Sequence, residues 1–559
     1  MQPASPFVFA LRHAVSVLLV VSISSSVLLY ARVEPDKASP YVPIYSWVYG
    51  AFDRLQALGF APSAFVGLRP WTRMECARIV ESVGELQAGY DRSSEAHRLY
   101  SALVVEFASE LDASRDSSRS DVRVDSIYAR YTGIARLPLA DGYHFGQTLA
   151  NDFGRPYGEG ANTVLGAAGW ASSGPIAMYV RAEYQHAAPL PPYSDTVQQL
   201  IGQLDLTPPQ LPIQTRSVNR AQIVDAYAAW NLRTVQVSVG RQSLWWGPNR
   251  TGPLMLSNNA NPIDMVRVTK TTPWKLPSFL GWLGPVRWEG FFGLLADHHY
   301  PENPAIHGEK VSFKPTPNLE LGFSRTVVFR PVTFGKFWDG FVSVGDSVST
   351  IPGGPTDVGD RRGGFDFAYR VPGLRRWLVL YNDALTDDDP SPLSAPQRSM
   401  MNPGLYMPQV PKIPKLEIRV EAPFSDTPAL AFDAGHFFYW NGAYRDSYTN
   451  GGKLLGSWVG RQGRGLQAWT TYSVAPRKQI ECSYRQARID GEFVPGGGRV
   501  HDFRVGANWT VGELEISSFV QHELWTVPVL RAGRQSNTTA SIQLTYAPSK
   551  WSLLANRRR

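Results

Sequence analysis

The sequence predicts a mainly β protein, a large antiparallel transmembrane β-barrel preceded by a small N-terminal α-helical bundle. Three observations predict it. From about Val122 onward, apolar residues recur at every second position, the period of strands. The chain opens with an export-type apolar run, yet it carries only two cysteines, Cys76 and Cys482, too few for a disulfide framework. Aromatic residues gather near strand ends, and the connections are unequal, some very long and rich in Pro and Gly (187–216, 386–415), as in barrels with short turns at one end and long loops at the other.

Composition agrees. Charged residues are 18% of the 559, below the about 25% of soluble proteins. The 43 Pro and 49 Gly argue against a mostly helical body. The net charge of +7 is spread out, with no block of five or six basic residues, so nucleic acid is not an indicated partner.

In chain order, Arg12 and His13 precede an apolar run from about Ala14 to Tyr30, which fits a signal peptide over 1–31. An uncleaved anchor is the lesser alternative. No other window approaches 18 apolar residues, so no membrane helix is expected beyond it.

Residues 32–121 read as a periplasmic helical bundle with its linker. Val48, Phe52, Leu55 and Leu58 fall on one helical face, and Gly59 ends the run. Thr72-Arg-Met-Glu75 is a capping box opening a second helix. Ser93 or Ser94 caps a third, with Leu99, Leu103, Phe107 and Leu111 as its apolar stripe. Asp112 to Asp121, rich in Ser and Arg, is the linker.

Residues 122–559 read as the barrel. Ile176, Met178, Val180, Ala182 and Tyr184 alternate with Ala177, Tyr179, Arg181, Glu183 and Gln185. Val235-Gln-Val-Ser-Val239, Leu319-Glu-Leu-Gly-Phe323 and Leu416-Glu-Ile-Arg-Val420 repeat the pattern, with no return to a helical period. Allowing roughly 10 residues per strand plus connections, about 430 residues hold on the order of 16–20 strands. Trp274, Trp282, Trp288, Phe437-Phe-Tyr-Trp440 and Trp525 suit interface girdles.

One stretch stands apart: Gly240-Arg-Gln-Ser-Leu-Trp-Trp-Gly-Pro-Asn249, continuing through Leu256-Ser-Asn-Asn-Ala-Asn-Pro262. Adjacent Trp245 and Trp246 cannot both face one side of a strand, and Gly247-Pro248 breaks it. Ring faces beside uncharged Asn and Ser groups suit a sugar, whose C–H face stacks while its hydroxyls meet the amides. The competing reading is structural, a plug or an interface anchor. Arg241, Trp245, Trp246, Asn249, Ser257, Asn258 and Asn259 are the candidate polysaccharide-binding residues, as contacts or as shapers of the site. Arg241 pairs either with acidic sugars or with lumen carboxylates.

Taken with the N-terminal Tyr41-Val-Pro-Ile-Tyr-Ser-Trp-Val-Tyr49 and Arg69-Pro-Trp-Thr-Arg73, this stretch resembles the Wzi family of bacterial capsule-assembly proteins. Gly290-Phe-Phe-Gly293 and Leu319-Glu-Leu-Gly322-Phe-Ser-Arg325 look like the family too. The resemblance implies an 18-stranded outer-membrane barrel with its helical bundle in the periplasm. It also implies a lectin-like, non-enzymatic role, in which exported capsular polysaccharide or another exopolysaccharide is bound and anchored at the cell surface. Its partners would be that polymer, outer-membrane lipid and the polysaccharide export machinery. The chain departs from barrels that end on a terminal aromatic, because it runs past Tyr546 and Trp551 to Arg559.

No cofactor or metal is expected. Asp297-His-His-Tyr300 with His307 looks like a ligand set, but adjacent strand histidines point oppositely. Asp387-Asp-Asp389 lacks the spaced ligands of a calcium loop. Glu183, Glu417, Glu421 and Glu481 with Arg181, Arg419 and Arg485 read as a polar barrel interior of paired charges rather than a glycosidase pair. No Gly-x-Ser-x-Gly, His-Glu-x-x-His or phosphate-loop motif is present. Two other functions stay open at this point, a porin with a wide lumen and a secreted carbohydrate-active enzyme.

Overall fold

The computed structural model describes residues 37–87, 94–113, 120–342, 358–387, 391–427 and 434–548. The expected signal peptide, the middle of the linker, Asp388 and Asp389, and the tail beyond Pro548 lie outside the described residues.

Helix α1 (Trp47–Leu58) buries Val48, Phe52 and Leu55 and ends at Gly59, whose φ of 93° is left-handed. Helix α2 (Arg73–Gln87) opens with the reciprocal capping box: Glu75 N–H donates to Thr72 Oγ1 at 3.1 Å, and Thr72 N–H donates to Glu75 Oε2 at 2.7 Å. Ser94 caps α3 (Glu95–Glu106) by accepting from His97 N–H. A short α4 (Ala108–Ala113) follows. Phe52, Trp71, Val80, Leu99, Leu103 and Phe107 share one apolar core among these helices.

The remaining body is built on one large antiparallel sheet, with two two-stranded sheets in its loops, and in it the first strand, Asp121–Ile134, pairs with both Gly160–Ser173 and the last strand, Arg531–Tyr546. That double pairing closes a ring of eighteen strands, leaving no sheet edge unpaired. A two-residue stub, Trp274–Lys275, pairs beside the ring. Connections alternate in length. Tight turns such as Gly174-Pro175 and Pro317-Asn318 lie at the end carrying the helices, and long loops lie at the other.

Strand Ile176–Ala187 shows what the wall separates. Ile176, Met178, Val180 and Tyr184 are exposed outside, while Tyr179, Arg181, Glu183 and Gln185 are buried inside. Leu165, Ile223, Val239, Val266, Phe503, Val520 and Ile542 continue the exposed apolar belt. A soluble protein has the inverse arrangement; apolar-out and charged-in is the pattern of strands that cross a bilayer. Among the described residues no helix is long and apolar enough to do so.

Two expectations are corrected. The chain does return to a helical period: α5 (Asp195–Asp205) and α6 (Phe334–Val342) lie in loops between strands. Each is a single short stretch between long β runs, so the surrounding period of two masks it. Phe438, Tyr439 and Trp525 are not girdle residues, because all three are buried in the interior. Tyr439 packs in a loop folded into the lumen, and Trp525 lies under α5 with Val197, Ile201 and Leu204. Exposed Trp282, at the helix-bearing end, does fit a girdle.

Candidate functional site

Inside a ring of paired strands the only free backbone groups are those of segments folded into it, and each needs a partner. The chain supplies such segments from both ends. From the helix-bearing end, 60–72 enters the lumen. Glu320 accepts from Val66 and Gly67 N–H at 3.0 and 2.9 Å, Arg287 bonds Leu68 O, and Arg267 bonds Pro70 O at 3.1 Å. From the other end, 243–262 folds inward from its strand. Gly240, two residues before the strand ends, has φ 131°, and a Cβ there would lie 2.2 Å from Ala226 O.

The two segments meet. Arg69 N–H donates to Trp245 O, and Trp245 N–H donates to Arg69 O, both at 3.0 Å. Beyond that bridge, lumen-facing carboxylates take over the role of a sheet partner. Trp246 Nε1 donates to Glu289 at 2.8 Å. Arg250 and Thr251 N–H each donate to Glu421 at 2.8 Å, and Leu254 N–H donates to Asp383 at 2.7 Å. Hydrogen bonds to a charged acceptor contribute about 1.5–3 kcal/mol each, enough to fix an irregular loop.

The predicted site residues divide accordingly. Trp245, Trp246, Asn249, Ser257, Asn258 and Asn259 come together, all buried, Trp246 completely. Asn249 donates to Asn402 O at 2.8 Å. Ser257 Oγ donates toward Leu455 and Gly456 carbonyls at 3.0 and 2.8 Å. Asn258 O accepts from Phe153 N–H at 2.7 Å, and Asn259 Oδ1 accepts from Asn151 N–H at 3.2 Å. Arg241 does not join them. By strand alternation it faces outward with Val239, and it pairs with Asp264 at 2.9 and 2.6 Å rather than with a lumen carboxylate.

A second layer closes the loop end. Tyr439 and Tyr448 stack at 5.9 Å, Tyr439 Oη donates to Leu254 O at 2.5 Å, and the Arg362 guanidinium lies 4.3 Å over Tyr448. His144 sits between Asp141 at 2.8 Å and Asp205 at 3.1 Å, and Arg461 bonds Asp205 at 2.5 Å, tying α5 to the plug. Burial alone would push the His144 pKa down. The two carboxylates overcome that and raise it to about 9. Cavities in the plug are about 20 and 10 Å³, room for about a water each.

What the plug leaves open is its outer surface. His299, Tyr300, Glu302 and Arg445 are exposed there, with Trp440 and Asn441 half-buried beside them. Asp446 accepts from His299 and Tyr300 N–H at 2.6 and 2.5 Å, and Arg445 N–H donates to Tyr300 O at 2.7 Å. His298 is turned inward to Thr449 O, and His307 packs against Phe337, so the histidines do not converge. Among the described residues no group of three metal-ligating side chains forms.

Glu289 and Asp383, the acceptors that hold the loop, carry no motif that marks them in the sequence. Their inward register in a period-two strand was the available signal. Glu183 pairs with Arg155, Glu481 with Arg250 and Arg485 with Asp502. Arg69, Arg73 and Arg78 are likewise engaged internally, by Asp53, Glu106 with Glu110, and Thr271 O.

Comparison with known proteins places these features. The family model described as capsule assembly protein Wzi matches residues 130–540. A Klebsiella pneumoniae relative, an uncharacterized 55.8 kDa protein in the cps region, is 27% identical over 175 residues, 30% of this chain and 33% of that protein. The match thus spans about a third of that relative's length. The solved structure of Wzi from Escherichia coli, described as an outer membrane, carbohydrate-binding β-barrel involved in group 1 capsule assembly, aligns at TM-score 0.61 and 16% identity. It covers 89% of this chain and 98% of that one. A BenF-like porin from Pseudomonas fluorescens aligns at TM-score 0.41 and 10% identity, over 77% of this chain and 99% of that one. On the family match over most of its length, the chain belongs to the capsule assembly protein Wzi family.

Proposed function

We propose that this protein is an outer-membrane lectin that binds exported capsular or related exopolysaccharide and anchors it at the cell surface. The observation that carries the reading is a closed barrel with an apolar belt whose lumen is filled from both ends, meeting at Arg69 and Trp245. A wall so plugged offers a polymer a surface rather than a passage. Short turns at the helix-bearing end support a periplasmic position for the bundle, where its outer face would meet export machinery, with the long loops outside.

In this reading Trp245, Trp246, Asn249, Ser257, Asn258 and Asn259 act as shapers. They fix the plug from which the exposed loops project. The contacts come from the loop end: Tyr300 and Trp440 supply ring faces, and His299, Asn441 and Arg445 supply donors, Arg445 suiting acidic sugars. Each contact is weak, and many copies on one polymer give avidity through effective concentration. The role requires no bond breaking, and lumen Glu183, Glu289 and Asp366 are occupied by cations while Glu421 and Asp383 accept from loop amides.

The test is binding of the reconstituted protein, in lipid nanodiscs, to immobilised exopolysaccharide from the same bacterium. Retention that Tyr300→Ala with Arg445→Ala weakens supports the reading. Absence of binding by the intact protein contradicts it.

A further inference from the structure

Helix α6 occupies an unexpected place. In strand Leu319–Phe329, Glu320 reaches the lumen segment at Val66, Thr326 bonds Tyr448, and Val328 joins the lumen core. Alternation therefore turns Arg325, Val327 and Phe329 outward. In Ala305–Thr316, Ile306 is in the lumen core and Lys310 bonds Asp366 inside, so His307 and Glu309 face outward too. Yet Val327 and Phe329 are 0% exposed, and His307 is buried as well.

What covers them is α6, lying against the outer wall. Phe337 packs on His307 at 5.1 Å and on Phe292 at 5.9 Å, and Arg325 donates to Phe341 O. Gly340 makes the flush fit, because a Cβ there would stand 3.1 Å from His307 Nε2. The helix also roofs the Arg325–Glu309 ion pair at 2.6 Å, which would otherwise face acyl chains. Directly below lies Phe323, an exposed member of the apolar belt.

The other side of α6 has no protein partner among the described residues. Phe334 is 78% exposed and Trp338 44%, and the two stack at 6.4 Å. Val332 and Val342 extend the apolar face, while the helical turn sets Asp339 and Lys336 off to one side of it.

We propose that α6 is an interfacial helix, with the Phe334–Trp338–Val342 face inserted into the outer leaflet beside the barrel. The occupant is a lipid surface, because the face continues the belt across Phe323 and because aromatic residues at barrel rims favour the boundary between acyl chains and headgroups. Lys336 can extend its ammonium toward phosphate groups while its stem stays apolar. The proposal rests on the barrel being membrane-embedded and is independent of any sugar contact.

The experiment places an environment-sensitive fluorophore on Trp338→Cys in a Cys482→Ala background, reconstituted in phosphatidylglycerol–phosphatidylcholine vesicles with nitroxide-labelled acyl chains. Val180→Cys in the belt and Gln203→Cys on α5 are the lipid and water controls. Insertion predicts that position 338 behaves as position 180: blue-shifted, quenched by the lipid nitroxide and protected from aqueous iodide. Behaviour like position 203, with position 180 still quenched, overturns it while leaving the barrel in the membrane. So does a water-exposed 338 whose emission changes only on adding exopolysaccharide, which would make the face a sugar platform. If position 180 also fails to quench, the membrane reading itself fails.

Discussion

Arg69 and Trp245 come from opposite ends of the barrel and exchange both of their backbone hydrogen bonds at 3.0 Å inside the lumen. The two stretches that carry the family resemblance are thus one physical unit, a plug clasped at its middle. A clasped plug predicts that the reconstituted protein passes no steady current in planar bilayers. Removal of 245–259 with a short Gly-Ser bridge opens a conducting path, and single-channel recording reads both outcomes.

Glu421 replaces a sheet partner for Arg250 and Thr251 N–H and also accepts from Tyr381 Oη at 2.7 Å. Glu421→Ala strips three charge-assisted bonds, at about 1.5–3 kcal/mol each before relaxation. Hydrogen exchange at Arg250 and Thr251 should accelerate by orders of magnitude while strand amides stay protected. Glu421→Gln, with one acceptor oxygen, should fall between.

Trp246 fills the core beside Phe291, edge-on at 5.4 Å, and feeds Glu289. Trp246→Ala leaves a cavity and costs the plug about 3–5 kcal/mol. Trp246→Phe keeps most of the volume and loses chiefly the indole bond. If the residue shapes rather than contacts, polymer retention tracks plug order measured by exchange, and the Phe variant stays near wild type.

The His144 pKa of about 9 stands above its ordinary 6.5, so protonation favours the folded plug. That stabilisation is fully present below pH 6.5 and is lost as pH rises through 9, roughly 3 kcal/mol at most by 1.36 kcal/mol per unit. A spin label at Gln203→Cys on α5, in a Cys482→Ala background, should grow mobile across that window. His144→Gln should flatten the dependence.

Much of this was written locally in the chain. The Thr72–Glu75 box, the stop at Gly59 and the alternation through Ile176–Ala187 are short-range signals, and each forms as read. The site was half legible. A period of two tells that Glu421 faces inward but not which loop it will hold. Trp245 and Asn258 look like sugar ligands by residue type, and only the fold shows that both are buried with their backbones bonded to Arg69 and Phe153 of other segments. Arg241 stands apart from the other candidates because the strand's alternation, applied one residue further, turns it outward to Asp264. Phe334, Phe337, Trp338 and Phe341 carry a helical spacing, but nine residues with two glycines inside a β body give it little weight.

The most direct test of the central claim compares a deletion strain with its complement, staining polymer on cells and in the medium. Protein is expected in the outer-membrane fraction, with polymer shed into the medium on deletion. Complementation by wild type should restore it to the cells, and the Tyr300→Ala, Arg445→Ala double variant should restore it only in part. Outer-membrane protein whose deletion leaves cell-bound polymer unchanged would contradict the anchoring role.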